Sequence, residues 1–252
     1  MKLGAQFYSI RNMTTTPEDL RESFKAMRNI GYEIAQMSGI CSIEPERLRS
    51  YSEEFCLPIT CTHSSFDRLI SDTDKLIREH IIYGCPTIGL GGMPEEYRDS
   101  LDGIREFIKV LKTPVEKINA AGLDFAYHNH AFEFDRVSGV LPYDVLIEEF
   151  PALNFILDTY WIKYAGYDYL GYIEKIGAGR LKNVHLKDML TEPKGEICYC
   201  GEGVIDFAPV VALCDKLGIQ NALVEQDNAP SSGDSFKQMK WSYNSLKHLF
   251  GK

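Results

Sequence analysis

One pattern repeats eight times along the 252 residues: a short run rich in apolar and β-branched side chains, then a longer amphipathic run. The strand candidates are KLGAQFYS, YEIAQMS, PITCTHSS, PTIGLGG, LDFAYHNH, LNFILDTYW, LKNVHLKD and NALVEQD. The first helical run, TTPEDLRESFKAMRNIG, opens on threonine, carries Pro17 in its first turn and closes on Gly31. These are the expected cap, start and stop of a helix. Gly84, Gly122 and Gly218 end further runs in the same way, immediately before a strand. Strict β-then-α alternation predicts a parallel sheet with right-handed crossovers. Eight such units close on themselves, so the expected fold is an α/β (β/α)8 TIM barrel, a single domain over residues 1–252. No GxGxxG follows the first strand and no P-loop occurs, which argues against an open nucleotide-binding sheet. Pro114 is expected to kink or split the fourth helical run. The segment from 191 to 207 is long for a strand-to-helix loop and is expected to be functional or mobile.

Composition then removes whole classes of partner. The formal charge is −9, a poor match for a phosphate backbone, so no nucleic-acid partner is expected. No apolar run approaches the roughly 20 residues of a membrane span, and MKLGAQFYSIRN turns polar too soon for a signal peptide. The seven cysteines form no CxxC pair; reduced thiols in a cytoplasmic protein fit that usage, with the lone CxC at Cys198 and Cys200 incidental. Nothing fixes the oligomeric state; a homo-oligomer is compatible.

In a barrel of this kind the chemistry gathers where the strands end. Strand five ends in His128-Asn129-His130, strand six in Asp158, strand seven in His185 with Lys187 and Asp188 behind it, and strand eight in Glu225-Gln226-Asp227. Strand three contributes His63. Side chains alternate across a strand, so His128 shares a face with His130, His185 with Lys187, and Glu225 with Asp227. Four consecutive strands thus end in a potential metal ligand: His128, Asp158, His185 and Glu225. Such a mixed nitrogen and oxygen set suits one divalent ion: Mn²⁺, Zn²⁺, Co²⁺, Fe²⁺ or Mg²⁺. Asp188 and Asp227 are expected to be caps or loop anchors. Tyr8, Tyr160 and Trp161 read either as rim packing or as the aromatic lining of a sugar site.

At these residues the chain resembles the xylose isomerase-like TIM barrel superfamily, in its sugar phosphate isomerase/epimerase branch. The matching pieces are LGAQFYSIR (3–11), GYEIAQMSG (31–39), THSSFDRL (62–69), YHNHAFEF (127–134), LDTYWIKYAG (157–166), VHLKDM (184–189), GEGVIDF (201–207) and VEQD (224–227). The resemblance implies a divalent ion on strands five to eight. Asp158, His185 and Glu225 carry over directly. The strand-five ligand, glutamate in many relatives, is His128 here, so either His128 or Glu133 completes the set.

The implied activity is isomerisation or epimerisation of a keto-sugar, unphosphorylated sugar or cyclitol through an enediolate stabilised by the metal. Glu225 is the expected base, Glu133 or His130 the acid on the opposite face, and Lys187 the support for a developing oxyanion. Tyr8, His63 and Trp161 are expected to bind the substrate. Dehydration or elimination by the same intermediate, and a non-catalytic sugar-binding barrel, are the alternatives. DNA-repair endonucleases of this barrel type need a basic surface that the chain lacks.

Overall fold

Each apolar run becomes a short strand: β1 (Lys2–Gln6), β2 (Ile34–Met37), β3 (Ile59–Thr62), β4 (Thr87–Leu90), β5 (Asp124–His128), β6 (Asn154–Asp158) and β7 (Leu181–Leu186). A small excursion, β8 (Asp188–Met189) and β9 (Ile197–Cys198), precedes the eighth barrel strand, β10 (Asn221–Val224). These elements come from a computed structural model that describes residues 1–251. The barrel order is β3-β2-β1-β10-β7-β6-β5-β4, every neighbouring pair parallel. Around it lie α1 (Pro17–Ile30), α2 (Pro45–Glu54), α3 (Phe66–Ser71), α4 (Thr73–Ile82), α5 (Leu101–Ala120), α6 (Pro142–Glu149), α7 (Thr159–Tyr164), α8 (Tyr169–Arg180), α9 (Phe207–Leu217) and α10 (Ser235–Leu246). This is the expected TIM barrel.

The last seam, between β3 and β4, is closed sparsely. A parallel bridge joins Ser64 to Leu90, and the Ser64 N–H donates to the Gly89 carbonyl over 2.8 Å. Gly89 permits that approach, because a β-carbon there would collide with the Thr62 carbonyl oxygen.

The caps form as the sequence predicts. The Thr16 side chain accepts the Asp19 N–H, Pro17 stands in the first turn, and Gly31, Gly84, Gly122 and Gly218 all take positive φ. Three local expectations are corrected. Pro114 neither splits nor interrupts its helix: α5 runs unbroken from Leu101 to Ala120. The proline is buried, as are Leu111, Val115 and Ile118 of the same helix, and that burial offsets part of the cost of the missing hydrogen bond. Tyr160 and Trp161 do not extend β6 but begin α7. Asp158 Oδ1 accepts their N–H groups at 2.9 and 3.2 Å, a cap that outweighs their β-propensity. Strand β5 stops at His128, two residues before the expected end.

Alternation across the strands sorts the core. Outward residues such as Phe125, Tyr127, Phe155, Leu157, Val184 and Leu186 join the large cluster under the helices. The inward Cys61, Ala126 and Ile156 form a separate small cluster. His128 lies two residues beyond Ala126, and Asp158 two beyond Ile156, so both continue the inward face to the mouth.

Candidate active site

At the C-terminal mouth the inward row ends in a buried knot of charge. His128 Nε2 lies 3.3 Å from Asp158 Oδ2 and 3.8 Å from Glu225 Oε2. His185 Nδ1 lies 2.7 Å from Glu225 Oε2 and 3.9 Å from Asp158 Oδ2. The four ligand atoms fall within 4.8 Å of one another, all from buried residues. Donors about 2.1 Å from a shared tetrahedral ion would stand about 3.4 Å apart, the scale seen here. Of the two candidates for the fourth ligand, His128 reaches the cluster.

Proton bookkeeping shows why a cation fits. His128 Nδ1 faces the Gly91 carbonyl at 3.2 Å and its Nε2 faces a carboxylate. His185 Nε2 faces Gln36 Oε1 at 2.8 Å and its Nδ1 faces Glu225. Each imidazole therefore meets acceptors at both nitrogens, while the neutral ring has one N–H. With the rings neutral, the Gly91 and Gln36 oxygens can take that proton and hold the ring, as outer partners of ligating histidines do. The inward nitrogens are then free to offer lone pairs to an ion shared with the carboxylate oxygens. A divalent ion resolves that conflict at all four atoms together.

Lys187 supplies one positive charge to the knot. Its Nζ lies 3.0 Å from Asp158 Oδ2, 3.1 Å from Glu225 Oε2 and 3.1 Å from Asp227 Oδ2. Three carboxylates thus face one ammonium. Burial works against the Lys187 charge, but the three carboxylates outweigh it and hold the ammonium well above its usual pKa. Burial likewise opposes ionisation of Asp158 and Glu225; Lys187 leads the groups that overcome it and keep both below the carboxylate range. Asp227 goes the other way, raised by burial and by the neighbouring Glu225 and Asp158 charges. Burial pulls His128 down, but its bond to Asp158 and the Glu225 charge leave it raised; His185 is lowered by burial.

A cavity of about 430 Å³ opens above the knot, lined by Tyr8, Ser38, His63, Ser64, Ser65, Gly91, His128, His130, Lys187, Glu225 and Asp227. Tyr8, His63, His130 and Lys187 therefore stand where a ligand would. Trp161 is not one of these lining residues but adjoins two of them, its ring 5.3 Å from that of His130 and 5.3 Å from the Lys187 ammonium. Three polar atoms here are buried without a partner: His63 Nε2, His130 Nδ1 and Trp161 Nε1. Burial drives both imidazoles toward the neutral form, His63 well below its usual pKa and His130 to about 3.

Glu133 lies apart from the donor cluster and is not among the residues lining the cavity. Its Oε1 accepts the Tyr127 hydroxyl and its Oε2 accepts the His130 N–H at 2.8 Å, while Tyr127 in turn accepts the Met93 N–H at 2.8 Å. It thereby holds the loop that carries His130. Asp188 is a loop anchor, as expected, accepting the N–H groups of Met189, Gly201, Gly203 and Ile205. Three of these bonds tie Gly201, Gly203 and Ile205 of the 191–207 segment to the barrel mouth, and β9 within that segment pairs with β8. Asp227, by contrast, belongs to the site. Its strand parity with Glu225 was the available signal. Gln36 and the Gly91 carbonyl had none, since an acceptor behind a ligand shows no pattern in sequence.

Comparison with known proteins agrees with this fold. The profile of the family described as "Xylose isomerase-like TIM barrel" matches residues 24–247. Among curated proteins, none matches the sequence. A sugar phosphate isomerase/epimerase from Parabacteroides distasonis is 22% identical, with a TM-score of 0.80 and 98% of each chain covered. An L-ribulose 3-epimerase is 15% identical at a TM-score of 0.75, covering 98% of this chain and 94% of its own. The "probable 3-DHS dehydratase AsbF" of Bacillus anthracis is 14% identical at 0.76, covering 98% and 99%. With nearly nine-tenths of its length matched by the family profile and the barrel complete, the chain belongs to the xylose isomerase-like TIM barrel family.

Proposed function

We propose that the protein is a divalent-metal-dependent sugar isomerase or epimerase acting on an unphosphorylated sugar, keto-sugar or cyclitol. One observation carries the metal: His128 and His185 each face acceptors at both ring nitrogens, with the inward pair aimed at Asp158 and Glu225. His128, Asp158, His185 and Glu225 would hold the ion, which when bound polarises a substrate carbonyl as a Lewis acid. Glu225 is the base that takes the proton beside that carbonyl. The Lys187 ammonium supports the oxygen that gains charge. His63 Nε2, His130 Nδ1 and Trp161 Nε1, buried and unpartnered, meet substrate hydroxyls, and Tyr8 closes the rim. Glu133 acts through the loop it holds rather than on substrate. Among the described residues lining the cavity, Lys187 is the one lysine or arginine, and three carboxylates already engage it; a phosphate would find no free cation.

Elimination is a second reading, favoured by the absence of a carboxylate on the β3–β5 side of the cavity lining. Inversion at carbon needs a proton donor on each face, whereas same-face isomerisation or elimination does not. Solved structures of this fold include a protein named as a probable dehydratase and one named as an epimerase.

Proton exchange in D₂O tests the proposal on a panel of free and 3-keto sugars with added Mn²⁺. Deuterium should enter at the carbon beside the carbonyl, and Glu225→Gln should slow this by about 10² to 10⁴. Failure of every panel member to exchange with metal-loaded protein overturns it. Saturation by a phosphorylated ketose but not by its free form overturns the substrate class.

A further inference from the structure

The ammonium of Lys187 and the inward imidazole nitrogens converge on the same two oxygen atoms. Asp158 Oδ2 lies 3.3 Å from His128 Nε2 and 3.0 Å from Lys187 Nζ. Glu225 Oε2 lies 2.7 Å from His185 Nδ1 and 3.1 Å from the same Nζ. These oxygens are half of the donor set that would hold the divalent ion. Two cations that draw on one pair of lone-pair-bearing oxygens, on buried side chains, oppose each other. Lys187 also has two partners that no ligand set claims. Asp227 Oδ2 lies 3.1 Å from Nζ, and the Trp161 ring centroid lies 5.3 Å away. Asp227 is itself steadied from the rim, where Arg11 Nη1 donates to its backbone carbonyl at 3.0 Å.

Resting on the metal reading above, we propose that Lys187 is a tethered competitor for the ion. It neutralises Asp158 and Glu225 while no divalent ion is bound and yields those oxygens to the ion. It then rests on Asp227 and the Trp161 ring, facing the cavity. The exchange answers a physical need. A buried pair of bare carboxylates is costly without a cation, and the tethered ammonium supplies one until the ion arrives. It also gives Asp227 a defined task, to receive the displaced charge. Ion binding and placement of the lysine at the substrate wall then become one event.

Mn²⁺ binding measured by calorimetry on the purified, chelator-treated chain tests this without any turnover. Lys187→Met should bind Mn²⁺ at least tenfold tighter than the native protein. Asp227→Asn, a change at the more exposed rim, should bind it several-fold more weakly, because the displaced ammonium loses its partner. Fluorescence gives an independent reading: in a Trp241→Phe background, Mn²⁺ should shift Trp161 emission, and Lys187→Met should abolish the shift. Equal or weaker Mn²⁺ binding by Lys187→Met overturns this inference alone, making Lys187 an organiser of the two carboxylates. Unchanged affinity in Asp227→Asn, with an unchanged Trp161 signal, also overturns it. If native protein and variants alike bind no Mn²⁺, Zn²⁺ or Co²⁺, the metal reading falls and this inference with it.

Discussion

A carboxylate buried without a cation holds its proton more tightly than one in water, and Glu133 is such a group. Burial pushes its pKa from 4.5 up to about 7, against the pull of the Tyr127 hydroxyl and the His130 N–H. The folded state therefore binds a proton that the unfolded chain releases near 4.5. Its contribution is fully present below pH 4.5 and is lost as pH rises through about 7, a loss of roughly 3 kcal/mol once both forms are ionised. Glutamine keeps an acceptor for the His130 N–H and cannot ionise. Glu133→Gln should flatten the stability–pH curve between pH 4.5 and 7 and raise stability at pH 8, read by urea unfolding across that range. An unchanged slope would remove Glu133 as its source. The same residue shows what the sequence conceals. Four inward donors were legible because each ends a strand at fixed parity. Glu133 lies three residues past His130, but its hydroxyl partner is fixed by the turn between them. Gln36 meets His185 across 149 positions, a contact with no local signal.

Helices and loops divide along similar lines. Runs with caps at both ends, such as α1, were legible because start and stop are written in short-range chemistry. The short α3 and α7 were not, since six residues give too little period to separate a helix from its flanks. Asp158 is the sharpest instance: Oδ1 caps α7 while Oδ2 faces the donor cluster, so one side chain both ends a strand and aims a ligand. Pro114 misled for another reason: the local rule is sound, but packing overrode it. An interior proline costs about 3 kcal/mol relative to alanine, and the ring recovers part of this by burial. Pro114→Ala restores the N–H and loses about two buried methylenes, worth roughly 1.6 kcal/mol. The net expectation is stabilisation of about 1 kcal/mol, or 2–4 °C in melting temperature for a chain of this size. A lowered melting temperature would show that the ring's packing is worth more than the hydrogen bond.

Across the whole barrel the donors are not spread evenly. His128, Asp158, His185 and Glu225 stand at the ends of β5, β6, β7 and β10, an unbroken arc of neighbours. The sparsely paired β3–β4 seam lies outside that arc, one strand beyond β5. An ion bound across the arc links strands already joined by regular ladders and does nothing directly for the seam. Saturation at a hundredfold excess over its dissociation constant stabilises the folded chain by about 2.7 kcal/mol, or roughly 5–10 °C in melting temperature. Local opening should respond unevenly. Added Zn²⁺ should slow amide exchange along β5, β6, β7 and β10, while the Ser64 N–H, held by Gly89 across the seam, exchanges at its former rate. Exchange followed by mass spectrometry with and without chelator separates the two regions. Equal protection at the seam and along the arc would mean that the barrel opens only as a unit, so that its weakest join is as strong as the ladders beside it.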